Sequence, residues 1–186
     1  MIAGVGGQGT VLASKLIAAA AMKKGFNVRT TEFIGMAQRG GSVFGHCRIG
    51  ENIFSPKIPI GKADAIIGFE PAEAVRQLEY LGKEGTVIVC DNIIKPVSGS
   101  SANEYEAKTM IDFLKANAQK LIIVDGKQLS GLNAKTLNVS LLGAAVQSGI
   151  FPFDADTLKS ALSELLHERL LEMNIKAFEL GRKLCQ

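Results

Sequence analysis

The sequence predicts a three-layer α/β domain on a mixed, mainly parallel sheet, with a Rossmann-like start and an inserted β-hairpin. Three observations predict it. A glycine-rich loop follows a short apolar segment and opens a long helix-compatible run. Apolar runs of strand length recur at residues 63–69, 86–90 and 121–124, each closed by acidic or turn residues. An alternating segment at residues 42–49 stands where an all-parallel unit would need a crossover helix.

In chain order, Ile2 and Ala3 lead as a strand into the loop Gly4-Val5-Gly6-Gly7-Gln8-Gly9, and residues 10–24 continue as an apolar helix. The loop opens a helix, whose N-terminus presents unpaired N–H groups and partial positive charge and so favours phosphate or carboxylate. Gly4, Gly6 and Gly9 match the spacing G-x-G-x-x-G, and Glu32 falls about 20 residues further on, where a dinucleotide-binding fold puts its ribose-binding acid. The alternative is that the glycines serve only a tight turn and close helix–sheet packing. Gln8, polar within the loop, is a candidate to face a ligand.

Residues 26–32 read as the second strand, and the short segment 33–37 leads to a second glycine-rich loop, Gln38-Arg39-Gly40-Gly41-Ser42. The Arg39 guanidinium offers a planar fork of donors suited to carboxylate or phosphate, or to a carboxylate across a subunit interface. Beyond it Val43, Gly45, Cys47 and Ile49 share one side of an alternating strand and Phe44, His46 and Arg48 the other, making His46 and Arg48 interface or site candidates. The turn signal Gly50-Glu51-Asn52 and a short apolar return at residues 53–55 predict a β-hairpin over residues 42–55.

The later strands each deliver polar residues to their carboxyl ends, where ligands bind in open α/β sheets: Glu70 after residues 63–69, Asp91 and Asn92 after residues 86–90, and Asp125 after residues 121–124. Capping and turn formation are the competing roles for all four. Pro71 suits the first turn of a helix over residues 72–81. Helices are also predicted at residues 136–149, 155–167 and 169–184.

Composition bounds the function. The 186 residues, 47% hydrophobic, fit one domain spanning residues 1–186 that buries roughly 70% of its unfolded-chain surface. A net charge of +3, with no run of four basic residues, argues against nucleic acid as a partner. The longest strongly apolar stretch is too short to span a membrane and no secretory leader is read, so a cytoplasmic location is expected. Cys47, Cys90 and Cys185 are isolated, without C-x-x-C, so no iron–sulfur cluster is expected on this chain; nor does it contain Gly-Asp-Gly or a metal-ligand cluster.

Four ordered blocks, GVGGQGTVLASKLIAAAA, GMAQRGGSVFGHCRIG, SPKIPIGKADAIIGFEPAEAVR and the NVSLLGAA that begins at Asn138, together resemble the gamma-type subunit of 2-oxoacid:ferredoxin oxidoreductases. Within that group the chain is most similar to the small (beta) subunit of the indolepyruvate enzymes, since it lacks the Ser-Tyr-Gly-x-Glu-x-Arg-Gly-Gly form of the second block common in pyruvate and 2-oxoglutarate gamma subunits. The resemblance implies a small subunit without a catalytic residue or cofactor of its own. Its large partner would carry thiamine diphosphate, magnesium and 4Fe-4S clusters, coenzyme A would be the co-substrate, and ferredoxin would accept electrons through the complex. Pyruvate or 2-oxoglutarate as substrate, a free-standing NAD(P)- or FAD-binding oxidoreductase, and a regulatory nucleotide or acyl-CoA module remain alternatives. The isolated chain is also open to self-association as a homodimer.

Overall fold

The computed structural model describes residues 1–35, 40–95, 105–129 and 136–185. In chain order the elements are β1 (Ile2–Val5), α1 (Thr10–Lys23), β2 (Asn27–Ile34), β3 (Ser42–Gly50), β4 (Ala63–Gly68), α2 (Pro71–Arg76), β5 (Leu81–Cys90), α3 (Ala107–Asn117), β6 (Lys120–Val124), α4 (Leu137–Gln147), α5 (Ala155–Leu165) and α6 (Glu168–Leu184). The strands form one sheet in the order β2-β3-β1-β4-β5-β6. The pairs β1–β4, β4–β5 and β5–β6 are parallel, while β3 runs antiparallel to both β1 and β2.

The pleat sorts the strand residues onto two cores. On one face Ile2, Ile67, Ile88, Cys90 and Val124 pack with α1, α4, α5 and α6; on the other Ile66, Val87 and Val89 pack with Ala74 of α2 and Ile111 and Leu114 of α3. Helix α4 is buried continuously from Asn138 to Ala145, and apart from Asn138 and Ser140 that stretch is apolar all round. Its backbone meets α6 closely: a Cβ at Gly181 would run into the Ser140 carbonyl, and one at Gly143 into that of Phe178. Local chemistry sets the helix starts. Glu70 caps α2 with Pro71 at its first position. The Asp154 Oδ1 accepts from the Thr157 N–H at 2.8 Å to begin α5, and His167 separates α5 from α6.

Two expectations are corrected. The hairpin is β2–β3, not residues 42–55: β3 already pairs with β1 on one edge and β2 on the other, leaving no edge for a return at residues 53–55. Pro56 and Pro59, just beyond it, have no N–H to carry pairing further along the connection to β4. The helix expected over residues 72–81 ends at Arg76; a 3-10 turn follows at Leu78–Tyr80, and residues 81–85 belong to β5. Helix α3 was not foreseen. Among its residues only Ile111 and Leu114 are buried, too narrow a stripe to stand out from a polar segment.

Candidate functional site

Helices α1 and α2 leave the neighbouring parallel strands β1 and β4 toward opposite faces of the sheet, so the carboxyl ends of β1 and β4 form a topological switch point. The first glycine-rich loop lies there. The Gln8 N–H donates to the Val5 carbonyl at 3.0 Å, closing a tight turn. Gly9 then sits as N-cap of α1 with φ 83°, a conformation that side chains disfavour. Because this cap has no side chain and the first turn of α1 carries no acidic residue, the turn's N–H groups and positive end keep their capacity for an anion.

The second loop joins the first through the backbone. The β1–β3 ladder ends at Val5 opposite Ser42, and beyond it the Gly6 N–H donates to the Gly41 carbonyl at 2.8 Å while the Gly6 carbonyl accepts from the Gly40 N–H at 3.4 Å. Residues of the two loops thus meet as an extension of the sheet. Gln38 and Arg39 lie outside the described residues.

Beneath this junction are two buried carboxylates. Glu70, fully buried, accepts the Glu73 N–H on Oε2 at 3.0 Å and the Tyr105 hydroxyl on Oε1 at 2.7 Å. Glu73, 4% exposed, accepts the Ser42 hydroxyl on Oε2 and pairs with Arg76 at 3.6 Å through Oε1. Burial pushes the Glu70 carboxyl above the ordinary range, opposed by these hydrogen bonds and reinforced by the neighbouring Glu73 charge. Burial and the bond to Glu70 raise the Tyr105 phenol in turn. Sequence reading missed Glu73 and Tyr105. The spacing of three between a capping residue and a glutamate could have signalled Glu73; nothing local signals Tyr105, which reaches Glu70 across 35 residues.

Of the other candidates, Asn138 belongs with the first loop. It is 1% exposed, and its Nδ2 donates to the Gly9 carbonyl at 3.2 Å. Gln8 is engaged within the protein: its Oε1 accepts the Val5 N–H at 2.7 Å and its Nε2 donates to the Phe69 carbonyl at 3.0 Å, stapling the loop to the end of β4. Glu32 is not placed as a ribose-binding acid. It pairs with Gly45, which pairs with Ile2, so it lies level with the start of β1 and about 10 Å across the sheet. In a dinucleotide fold the acid's strand adjoins β1; here β3 intervenes.

His46 and Arg48 lie toward that same far end. His46 is 3% exposed, its Nδ1 accepts the Ile58 N–H at 3.1 Å, its ring packs edge-on against Tyr80, and burial lowers its pKa. Arg48 donates to the carbonyls of Ser55 and Lys57, at 3.1 and 3.3 Å, holding the β3–β4 connection. Asp91 and Asp125 share the carboxyl edge but serve turns: Asp91 Oδ1 accepts the Gly126 N–H at 2.7 Å, and Asp125 Oδ1 the Lys127 N–H at 2.8 Å. Asn92 packs against Gly126. Burial pushes the Cys47 and Cys90 thiols up to about 11, which favours the protonated thiol over the thiolate.

A cavity of about 470 Å³ lies at the opposite end of the sheet, among Ile2, Cys47, Ile58, Ala63 and Phe151, away from the glycine-rich loops. Among the described residues no three His, Cys, Asp or Glu side chains converge as metal ligands, and no helix is long and apolar enough to cross a membrane.

Comparison with known proteins agrees with this architecture. The chain is 38% identical over 98% of its length to the indolepyruvate oxidoreductase subunit IorB of Pyrococcus horikoshii, covering 93% of that protein, and 37% identical to its counterpart in Archaeoglobus fulgidus, with 97% and 92% covered. The common gamma subunit of pyruvate/ketoisovalerate oxidoreductases from Thermococcus kodakarensis is 29% identical, with 95% and 90% covered. The crystal structure of a keto/oxoacid ferredoxin oxidoreductase gamma subunit from Geobacter sulfurreducens shares the fold, with a TM-score of 0.68 at 20% identity over 99% of this chain and 95% of that one. A 2-oxoglutarate:ferredoxin oxidoreductase chain from Magnetococcus marinus, with 2-oxoglutarate, coenzyme A and succinyl-CoA bound, matches at a TM-score of 0.69 and 18% identity, over 99% of this chain and 30% of that one. Residues 1–184 match the family described as pyruvate ferredoxin/flavodoxin oxidoreductase, and the chain belongs to that family.

Proposed function

We propose that this chain, as one gamma-type domain over residues 1–186, is the small subunit of a 2-oxoacid:ferredoxin oxidoreductase that oxidises an arylpyruvate such as indolepyruvate. In the overall reaction the 2-oxoacid and coenzyme A give an acyl-CoA and carbon dioxide, and two electrons pass to ferredoxin. Thiamine diphosphate with magnesium and 4Fe-4S clusters, held by the large partner subunit, supply the carbanion chemistry and electron storage. As a ferredoxin-linked enzyme the complex belongs in the cytoplasm.

The observation that carries the residue-level reading is the pairing of Gly6 with Gly40 and Gly41 at the switch point, beside the first turn of α1. The first turn of α1 there presents N–H groups without a side-chain cap, which suits an anionic group such as a coenzyme A phosphate. The chain's part is to bind and orient. Gly7, Gly9 and the first turn of α1 would face the anion, Asn138 would hold the Gly9 carbonyl, and Ser42 would fix the second loop. Arylpyruvate is favoured over pyruvate because relatives named for indolepyruvate are 37–38% identical, whereas those named for pyruvate and ketoisovalerate are 28–29% identical. The displaced Glu32 and the use of the Gly6 N–H within the sheet weigh against a free-standing dinucleotide-binding enzyme.

The test is purification of the tagged chain from its native host, with assay of the eluate for dye reduction dependent on arylpyruvate, pyruvate or 2-oxoglutarate. A large thiamine and iron–sulfur partner with coenzyme A-dependent arylpyruvate activity is expected. Activity on another oxoacid would keep the complex and change the substrate. Elution alone or as a homodimer holding a nucleotide would refute the subunit reading.

A further inference from the structure

Glu70 uses both carboxylate oxygens, and only one of them is needed to cap α2. The Glu73 N–H takes Oε2; Oε1 reaches outward to the Tyr105 hydroxyl, just before α3. A serine, threonine or aspartate would cap the helix as well. Burying two carboxylates three residues apart is costly, and an apolar pair of similar volume would be at least as stable. Among the described residues no lysine or arginine is paired with Glu70, while Arg76 pairs with Glu73. Capping and packing therefore leave the second oxygen, its tyrosine and the Ser42–Glu73 bond without a purpose.

We propose that Glu70 is a positioning residue that ties three chain segments together at the switch point: the second glycine-rich loop through Glu73 and Ser42, the start of α2 through the Glu73 N–H, and the approach to α3 through the Tyr105 hydroxyl. The proposal rests on the reading that this edge handles coenzyme A. The line of bonds runs from Ser42 to Glu73 across 31 residues, along the first turn of α2 to Glu70, and on to Tyr105 across 35. Ser42 lies opposite Val5 at the end of the β1–β3 ladder, next to the Gly41 carbonyl that holds Gly6. Loosening the line thus weakens one hold on the strand end that sets the first loop. The carboxylate form is required: a glutamine at position 70 would turn its NH₂ toward either the Glu73 N–H or the Tyr105 hydroxyl, and in each orientation one donor faces another unless the phenol reverses and orphans its own proton.

The experiment uses the complex reconstituted with its large subunit, with coenzyme A as the varied substrate. Tyr105→Phe and Glu70→Asp are compared with wild type. Aspartate preserves the helix cap but is one methylene too short to keep the tyrosine, so a purely structural cap predicts wild-type kinetics for it. The relay predicts that both variants raise KM for coenzyme A by about tenfold, the equivalent of one hydrogen bond to a charged group, with kcat within about twofold; the lost bond to a buried carboxylate also lowers the thermal midpoint by a few degrees while the complex stays folded at the assay temperature. An active wild-type complex whose KM is unchanged in both variants would overturn the proposal. A wild-type complex with no coenzyme A dependence would refute the functional reading, and amide exchange of Gly6, Gly41 and Ser42 would then decide the relay by itself. Faster exchange in both variants supports it; unchanged exchange overturns it.

Discussion

The contact between Gly9 and Asn138 yields a prediction with a worked magnitude. A Cβ added at Gly9 meets Asn138 Nδ2 at 2.5 Å, and Asn138 is 1% exposed, so the amide has no open space to enter. Gly9→Ala therefore carries two costs. The left-handed backbone at φ 83° costs alanine about 1 kcal/mol, and the clash adds about 1–3 kcal/mol, as overpacking of a close-fitted site does. Asn138→Ala alone loses the bond to the Gly9 carbonyl and the one accepted from the Val139 N–H, about 1–2 kcal/mol. In the double variant the clash is gone, so Gly9→Ala should then cost only the backbone term. Urea unfolding of the four proteins measures this directly, with midpoints and slopes compared across the cycle. The double variant is expected to be more stable than the sum of the singles by about 1–3 kcal/mol. Additivity within about 0.5 kcal/mol would refute the claim that Asn138 sets the space available at the first loop.

Gly181→Ala should force α6 away from the Ser140 carbonyl and cost about 3 kcal/mol, read as a fall of roughly 6–12 °C in the melting midpoint; a fall under 2 °C would mean that the helices are free to separate. Gln8→Ala removes the acceptor for the Val5 N–H and the donor to the Phe69 carbonyl, and should cost about 2 kcal/mol by urea unfolding, with faster amide exchange at Val5. The raised Glu70 carboxyl means that the folded chain holds this proton more tightly than the unfolded one. Its contribution to stability is fully present below the unfolded value of 4.5 and is lost as pH rises through the higher folded value. Subtracting the Glu70→Gln stability profile from that of wild type should leave a difference that falls with pH above 4.5; a flat or rising difference contradicts the shift.

Most of the architecture was legible because it is written locally. The strands at residues 63–69, 86–90 and 121–124 are short apolar runs closed by Glu70, Asp91 and Asp125, and all three are parallel sheet strands within a residue or two, apart from the early start of β5. The helices after Gly9, Pro71 and Asp154 carry their own start signals. What failed depended on partners distant in sequence. An alternating strand shows which residues share a face but not which strand takes each edge, so the β2–β3 pairing was read as a hairpin within residues 42–55. The Gln8 bond to the Phe69 carbonyl, 61 residues away, was likewise not legible from the loop itself.

The sequence by itself determined the class of fold, the two glycine-rich loops and the resemblance to an oxoacid oxidoreductase subunit, because turn chemistry and hydrophobic period act over a few residues. Only the tertiary structure decided that Gly6 pairs with Gly40 and Gly41, that Glu32 lies two strands from the loop it was expected to serve, and that Ser42, Glu73, Glu70 and Tyr105 form one line of hydrogen bonds. The physical reason is that the order of strands in a sheet is settled by which edges remain free once every apolar face is buried, a property of the whole chain and of no single segment.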